Sequence, residues 1–206
     1  MTLMSLSAAA ILLYTAPAIV TLFSALLFKE RLTAMKLVAV VLAFLGCALV
    51  SGLGSGSMTL STAGILYGLG AGFGYAMYSI FARLALERGT SSNTINFYSC
   101  LLAAVGAALI WGVDGVFETA VASGGNIALA LGTGIVTCYL PYLLYTYGLT
   151  GLETGRASIM ASVEPVVATL VGALVFHESM SLLSALGVAL VLAAVVLLNL
   201  RLKPRV

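Results

Sequence analysis

The stretch ASVEPVVATLVGALVFHE, residues 161–178, decides how this sequence folds. It is apolar enough to cross a membrane, yet it places an acid, Glu164, directly before a proline, Pro165. A second stretch, YTAPAIVTLFSALLFKE at residues 14–30, has nearly the same layout. Burying a carboxylate in hydrocarbon costs free energy, and so does placing a proline inside a helix. Their presence side by side therefore indicates a structural or functional role for both residues.

The composition indicates a chain whose solvent is lipid. Of its 206 residues, 62% are hydrophobic and 8% are charged, whereas soluble domains carry about 25% charged residues. The three cysteines lie inside apolar runs without paired spacing, which predicts neither a disulfide framework nor a metal site. We expect no metal, no cofactor and no nucleic-acid partner.

Seven apolar segments are each about 20 residues long, enough to cross roughly 30 Å of hydrocarbon as a helix. The strict alternation of a membrane β-barrel is absent. The predicted fold class is therefore an all-α integral membrane protein with seven transmembrane helices. The predicted spans are 6–28, 35–51, 62–82, 94–112, 126–149, 156–176 and 182–200.

All nine Lys and Arg residues fall on one side of this seven-span arrangement. They lie in the loops at 28–36 and 83–93, at Arg156, and in the tail at 201–206. The positive-inside rule makes this side cytoplasmic. We therefore expect a multi-pass protein of the plasma membrane, the inner membrane of a bacterium, with a cytoplasmic C-terminus.

The two proline-bearing stretches align at a constant offset of 148 residues. Residues 14–51 share ten identities with their counterparts, without a gap. Apolar matches are common by chance, but Pro17 aligns with Pro165 and Glu30 with Glu178, and both residue types are rare in such runs. Five spans separate the copies, so the copies cross the membrane in opposite directions. Inverted repeats are typical of secondary transporters, whose substrate sites lie near mid-membrane between the copies.

The repeat also predicts how the chain is divided. If one copy contains five helices, residues 62–200 form a complete second copy, and residues 1–51 hold the last two helices of the first. Residues 201–206 form a basic cytoplasmic tail. Three helices of the first copy are then expected to precede Met1 in a longer protein, or to be supplied by a partner.

These features resemble the drug/metabolite transporter superfamily, and specifically its EamA-type members. The resemblance is carried by APAIVTLFSALLFKE and EPVVATLVGALVFHE, each a helix with a proline and a glutamate at its exit, and by the glycine-bearing helix KLVAVVLAFLGCALVSG. It implies ten helices in two inverted five-helix repeats around a central cavity. It also implies transport of a small organic molecule.

Glu164 is the most unusual residue of the sixth span. A charge at a helix centre costs about 3 kcal/mol on insertion scales, and no Lys or Arg lies in the interior of any predicted span. Two interpretations stay open: a role in proton coupling or in binding a cationic substrate, and a structural acid hydrogen-bonded across helices. Small residues on its helical face, with Ile159, Val166 and Leu170 opposite, predict that Glu164 faces protein or a cavity.

Other candidates flank the prolines or form aromatic stripes, which in most proteins serve packing. Gly64, Gly68 and Gly72 recur at four-residue spacing and predict a close-packed helix seam. Glu30 and Glu178 lie at helix exits and are expected to cap helices or anchor loops. The candidate substrate-binding or coupling residues are Glu164, Pro165, Pro17, Tyr14, Tyr75, Tyr78, Tyr139 and Tyr142.

The residues and the resemblance together predict a secondary transporter, and specifically an exporter, of a small organic metabolite, an amino-acid-like compound or a drug. Its expected partners are the lipid bilayer, the substrate and, as a candidate coupling ion, the proton; homo-oligomerisation is left open. A retinal photoreceptor would need a lysine within a span, and an enzyme would need a catalytic constellation that the sequence lacks. The alternative is a truncated or structural membrane fragment without transport activity of its own.

Overall fold

A computed structural model describes residues 3–53, 61–112, 123–177 and 180–199. Helices account for nearly all of these residues, and no strand occurs among them. The helices are α1 Leu6–Leu13, α2 Ala16–Leu27, α3 Ala34–Val50, α4 Thr62–Glu87, α5 Ser92–Trp111, α6 Gly124–Thr133, a π-helical segment Gly134–Tyr139, α7 Leu140–Gly151, α8 Thr154–Ala161, α9 Glu164–Val175 and α10 Leu182–Asn199. The predicted basic tail at 201–206 and Glu178 lie outside the described residues.

The described helices are long and apolar enough to cross a membrane. Six stretches qualify by length and composition, and the seventh apolar helix, α3, has 17 residues. The predicted all-α membrane fold class is thereby confirmed. The six stretches are Ser7–Leu27, Thr62–Glu87, Ser92–Ile110, Gly124–Gly151, Thr154–Val175 and Leu182–Asn199.

The chain divides into two compact units. The first contains Met1–Phe81 and Leu152–Val206, and the second contains Ala82–Gly151. The first unit therefore holds both proline-bearing stretches and the helices that follow them, α3 and α10.

Two of the predicted spans are broken helices rather than continuous ones. The first span breaks at Tyr14 and Thr15, between α1 and α2, and the sixth at Ser162 and Val163, between α8 and α9. Each proline is the second residue of the helix that follows its break, where its missing N–H leaves no hydrogen bond unmade. The spans predicted at 6–28 and 156–176 are therefore present, each as two helices joined at a break.

Local geometry repeats at the same offset as the sequence. The two breaks lie 148 residues apart, as do the first residues of α3 and α10. The two non-glycine residues with positive φ among the described residues, Lys29 at 55° and His177 at 54°, are also 148 apart. These backbone angles are uncommon outside glycine, so their recurrence at matching positions is informative.

Helices α3 and α10 run antiparallel in close contact. A Cβ on Gly46 would come within 2.7 Å of the Gly187 carbonyl oxygen, and one on Gly187 within 2.6 Å of the Gly46 carbonyl oxygen. Gly187 also approaches Val50, while Gly46 approaches Val191. The later residue of α3 thus faces the earlier residue of α10, as expected for antiparallel helices. Their interface is apolar and includes the buried side chains of Ala39, Ala43, Cys47, Val191 and Ala194.

The three spaced glycines of α4 lie against α1 and the break that follows it. A Cβ on Gly64 would come within 2.8 Å of the Leu3 carbonyl oxygen, and one on Gly68 within 2.5 Å of Leu12 Cδ1. A Cβ on Gly72 would come within 2.8 Å of Thr15 Oγ1. Side chains at these positions would hold the two helices apart.

The second unit also contains a helix irregularity. The π-helical segment Gly134–Tyr139 precedes Pro141, whose missing N–H interrupts the regular ladder. The buried Asn96 of α5 donates a 2.9 Å hydrogen bond from Nδ2 to the Tyr139 carbonyl oxygen. The span predicted at 126–149 therefore contains a π-helical segment between two α-helices.

Candidate functional site

The two helix breaks of the first unit come together around Cys47 of α3. The Cys47 thiol donates a 3.7 Å hydrogen bond to the Ser162 carbonyl oxygen, within the second break. Cys47 packs with Val166 and Val191, and Tyr14 of the first break and Val163 of the second pack against the same cluster. Broken transmembrane helices present backbone polar groups at membrane depth, which is where transporter folds bind substrates and ions.

Glu164 is the first residue of α9, next to this meeting point. It lies ten residues after the start and eleven before the end of the span Thr154–Val175, at the middle of that span. Its side chain is exposed, and no hydrogen bond or ion pair to it occurs within the described part of the chain. Its neighbours Val163 and Val166 pack with Tyr14 around Cys47, so Glu164 lies next to this cluster. An accessible carboxylate without a cationic partner can bind a positively charged group.

The predicted outward faces of Ile159 and Val166 are wrong. Both side chains are buried, at 0% and 1% exposure. The prediction assumed one continuous helix, whereas the break at Ser162 and Val163 changes the helical phase between α8 and α9. Within the described chain, Glu164 is directed away from the face that packs against the core.

The remaining predicted residues fall into both units. Tyr14 and Pro17 flank the first break and Pro165 follows the second, so the structure brings these three to the region of Glu164. Tyr75 and Tyr78 are half-buried on α4 of the first unit, and Tyr139 and Tyr142 are half-buried in the second unit.

A second group of charged residues lies at one end of the first unit. Glu30 accepts hydrogen bonds from the first backbone amides of α8: 2.6 Å from Thr154 to Oε1, and 3.3 Å from Gly155 to Oε2. Lys36 Nζ lies 3.3 Å from Glu30 Oε2 and 2.8 Å from Glu153 Oε2. Glu30 thus caps the N-terminus of a helix more than 120 residues away in sequence, where its charge complements the helix dipole.

Sequence reasoning missed two features of this group. The sequence pattern places Lys36 in the loop at 28–36, but it lies in the first turn of α3 with 5% of its surface exposed. Thr21, Ser24 and Ser158 were not singled out, although all three are buried between helices. A Ser/Thr pattern on the buried faces of α2 and α8 was the available signal.

The pKa of the Glu30 carboxyl is lowered. Burial alone raises the pKa of a carboxyl group, but the Thr154 amide, the Lys36 charge and the Gly155 amide together outweigh it. Its contribution to stability is therefore complete above its ordinary pKa of 4.5 and is lost as pH falls through the lower folded-state value.

We accordingly expect the thermal unfolding temperature of the detergent-solubilised chain to fall as pH drops below 4.5. In the Glu30→Gln variant that part of the fall should be missing, because the substituted side chain does not titrate. Lys36 and Glu153, the charged groups that face Glu30, stay in place in both proteins. Parallel pH profiles for the two proteins would contradict this prediction.

The basic residues that the structure describes in the first unit gather at one end. Lys36 pairs with Glu153 beside the start of α8, and Arg156 donates to the Leu198 carbonyl oxygen near the end of α10. The loop after α2, the start of α8 and the end of α10 therefore share one end of the unit. That this end faces the cytoplasm stays a prediction from the charge distribution.

Comparison with known proteins identifies the family. The EamA-like transporter family model matches residues 1–52 and 62–200. An uncharacterized transporter from Archaeoglobus fulgidus is 32% identical over 189 residues, covering 92% of this chain and 65% of the relative. The threonine/homoserine exporter RhtA of Escherichia coli K12 is 28% identical over 182 residues, covering 88% of this chain and 58% of the relative.

A solved crystal structure aligns with a TM-score of 0.76 over 95% of this chain and 69% of its own, at 18% identity, which shows a shared fold alone. The chain spans 58–65% of the length of the curated relatives that it matches.

Proposed function

The chain belongs to the EamA-like transporter family, and on this premise we propose that it serves as a secondary transporter that exports a small amine-bearing metabolite, with no enzymatic step. The observation that carries the substrate class is Glu164, an accessible carboxylate near mid-membrane without a cationic partner in the described chain. A substrate ammonium group beside the Tyr14 ring and the Glu164 carboxylate would gain both charge pairing and an aromatic contact. A relative named as a threonine/homoserine exporter supports both the amine and the direction.

The proposed path runs between two inverted copies, with α1–α3 in the first and α4–α10 in the second. Three observations support this arrangement: the breaks recur 148 residues apart, the positive-φ residues recur at the same offset, and α3 and α10 are antiparallel. In this arrangement the basic end of the first unit faces the cytoplasm, and protons are a candidate coupling ion because Glu164 can exchange them.

A chain that needs further helices before it transports is the second candidate. The coverage of 58–65% of the relatives' length favours it, because a five-helix first copy would extend beyond α1–α3. Flux that appears only when the preceding helices of a full-length relative are fused or co-expressed would identify this case.

The direct test is flux in proteoliposomes with matched substrate pairs. We expect the protein to move threonine and homoserine, and not 3-hydroxybutyrate or 4-hydroxybutyrate, which share their frameworks but lack the amine. Equal flux of the amine and deamino compounds would overturn the proposed substrate class. The absence of flux for any of them, with and without added helices, would overturn the transport function.

A further inference from the structure

The contact between α2 and α8 differs in chemistry from the contact between α3 and α10. The α3–α10 interface is apolar and includes two glycines in backbone contact. The α2–α8 contact is instead built from small polar residues, and the Gly155 backbone comes close enough that a Cβ there would lie 3.3 Å from two hydroxyl oxygens. The buried residues on its two sides include Thr21, Ser24, Thr154, Gly155 and Ser158.

Three of these buried hydroxyls, on Thr21, Thr154 and Ser158, have no hydrogen-bond partner in the part of the chain that the structure describes. A buried hydroxyl without a partner costs free energy that hydration would recover. A contact that stayed closed would be more stable with apolar side chains of the same shape. The unpaired hydroxyls therefore favour a contact that opens to water.

Charged side chains hold α2 and α8 together at the basic end of this contact. The Glu30 carboxylate, from the loop after α2, holds the Thr154 and Gly155 amides at the start of α8, and Lys36 bridges Glu30 to Glu153. We name these five residues the latch. The hydrogen bonds that Glu30 accepts are charge-assisted, and its side chain is 8% exposed, whereas the Glu153 side chain at the edge of the latch is 46% exposed. Moving α8 away from α2 requires breaking them together.

We infer that the latch is a gate, which closes the basic end of the path between α2 and α8 and must open once in each transport cycle. The inference rests on the proposed transport function, because alternating access needs the two copies to separate at each end in turn. It goes beyond that function by naming the contact that opens and the residue that holds it shut. In this conformation the basic end is closed.

The test is the accessibility of a cysteine placed behind the latch. Ser24, 1% exposed, is replaced by cysteine in a background whose native cysteines are alanine, and inside-out vesicles are treated with a membrane-impermeant maleimide. Glu30→Gln keeps the size of the latch side chain but removes its charge. We expect it to raise the labelling rate at position 24 by about tenfold, the scale of a lost charge-assisted hydrogen bond.

A second variant is expected to change the labelling rate in the opposite direction. Thr21→Val removes an unpaired hydroxyl at nearly constant shape, so it should favour the closed contact and lower labelling at position 24. Glu87→Gln, in the more exposed Arg83–Glu87 pair, is the matched control and should change nothing.

A second reporter cysteine distinguishes opening of the gate from loosening of the whole fold. This reporter is Ala48→Cys. Ala48 is 2% exposed and lies on α3, about 18 Å from Lys36 along the helix. Faster labelling at position 24 alone supports the gate, whereas equal increases at positions 24 and 48 would overturn it. Unchanged labelling in Glu30→Gln would also overturn it. Because labelling needs no substrate, a gate that opens in a protein without flux would count against the transport proposal alone.

Discussion

Gly46→Ala should lower the thermal unfolding temperature of the detergent-solubilised chain by about 5 °C. The new Cβ would lie 2.7 Å from both the Gly187 carbonyl oxygen and Val191 Cγ2, and 2.9 Å from the Val191 amide nitrogen. Backbone atoms on the facing helix cannot rotate away, so α3 and α10 must move apart. Overpacking of this kind costs about 1–3 kcal/mol, which for a chain of this length corresponds to several degrees.

Gly70→Ala on α4 is the matched control, because a Cβ there meets nothing within 4 Å. It should be neutral or slightly stabilising, since alanine favours a helix by up to about 1 kcal/mol over glycine. Gly187→Ala should resemble Gly46→Ala, and the double variant should lose less than the sum, because one separation of the helices accommodates both methyl groups. If Gly46→Ala and Gly70→Ala were equally stable, the close α3–α10 crossing would be wrong.

Glu164→Gln should reduce amine flux about ten- to hundredfold. The substitution keeps the shape of the side chain but removes the charge that pairs with the substrate ammonium group. Hydrogen bonds to charged groups contribute about 1.5–3 kcal/mol, and each 1.4 kcal/mol corresponds to tenfold. Initial rates of threonine flux in proteoliposomes measure the loss, with Glu87→Gln as the charge-removing control outside this region.

Two further readouts separate the possible roles of Glu164. If its carboxylate binds the ammonium group, both net flux and substrate exchange should fall in Glu164→Gln. If it carries only the coupling proton, exchange should persist while the pH dependence of net flux disappears. Unchanged flux at every pH would contradict both roles and favour a structural acid.

The seven spans followed from the sequence because lipid imposes one simple requirement, a long apolar run with internally satisfied amides. The helix breaks did not follow, because Ser162 and Val163 lie inside a run, Thr154–Val175, that is long and apolar enough overall to cross a membrane as one helix. A proline such as Pro165 is compatible both with a kink inside one helix and with the start of a new one. The decision depends on how Ser162 packs against Cys47, 115 residues away.

Only part of the candidate site could be predicted, because the rest depends on contacts between residues distant in the sequence. The lack of a cationic partner for Glu164 follows from the positions of Lys and Arg in the sequence, and the described chain agrees. The burial of Lys36 was not predictable, because nothing in the sequence connects Glu30 to the amide of Thr154. Long-range contacts that reverse the usual exposure of a charge are visible only in the folded chain.

The central claim is that the two helix breaks form one site on the transport path. It is tested most directly by cross-linking Ser162→Cys to the native Cys47, whose thiol already contacts the Ser162 backbone, with Cys100 and Cys138 replaced by alanine. We predict that oxidation or a short bifunctional maleimide joins the two thiols in membranes, that amine flux stops, and that reducing the oxidised pair restores it. A cross-link that forms and leaves flux unchanged, or two thiols that never join, would contradict the account.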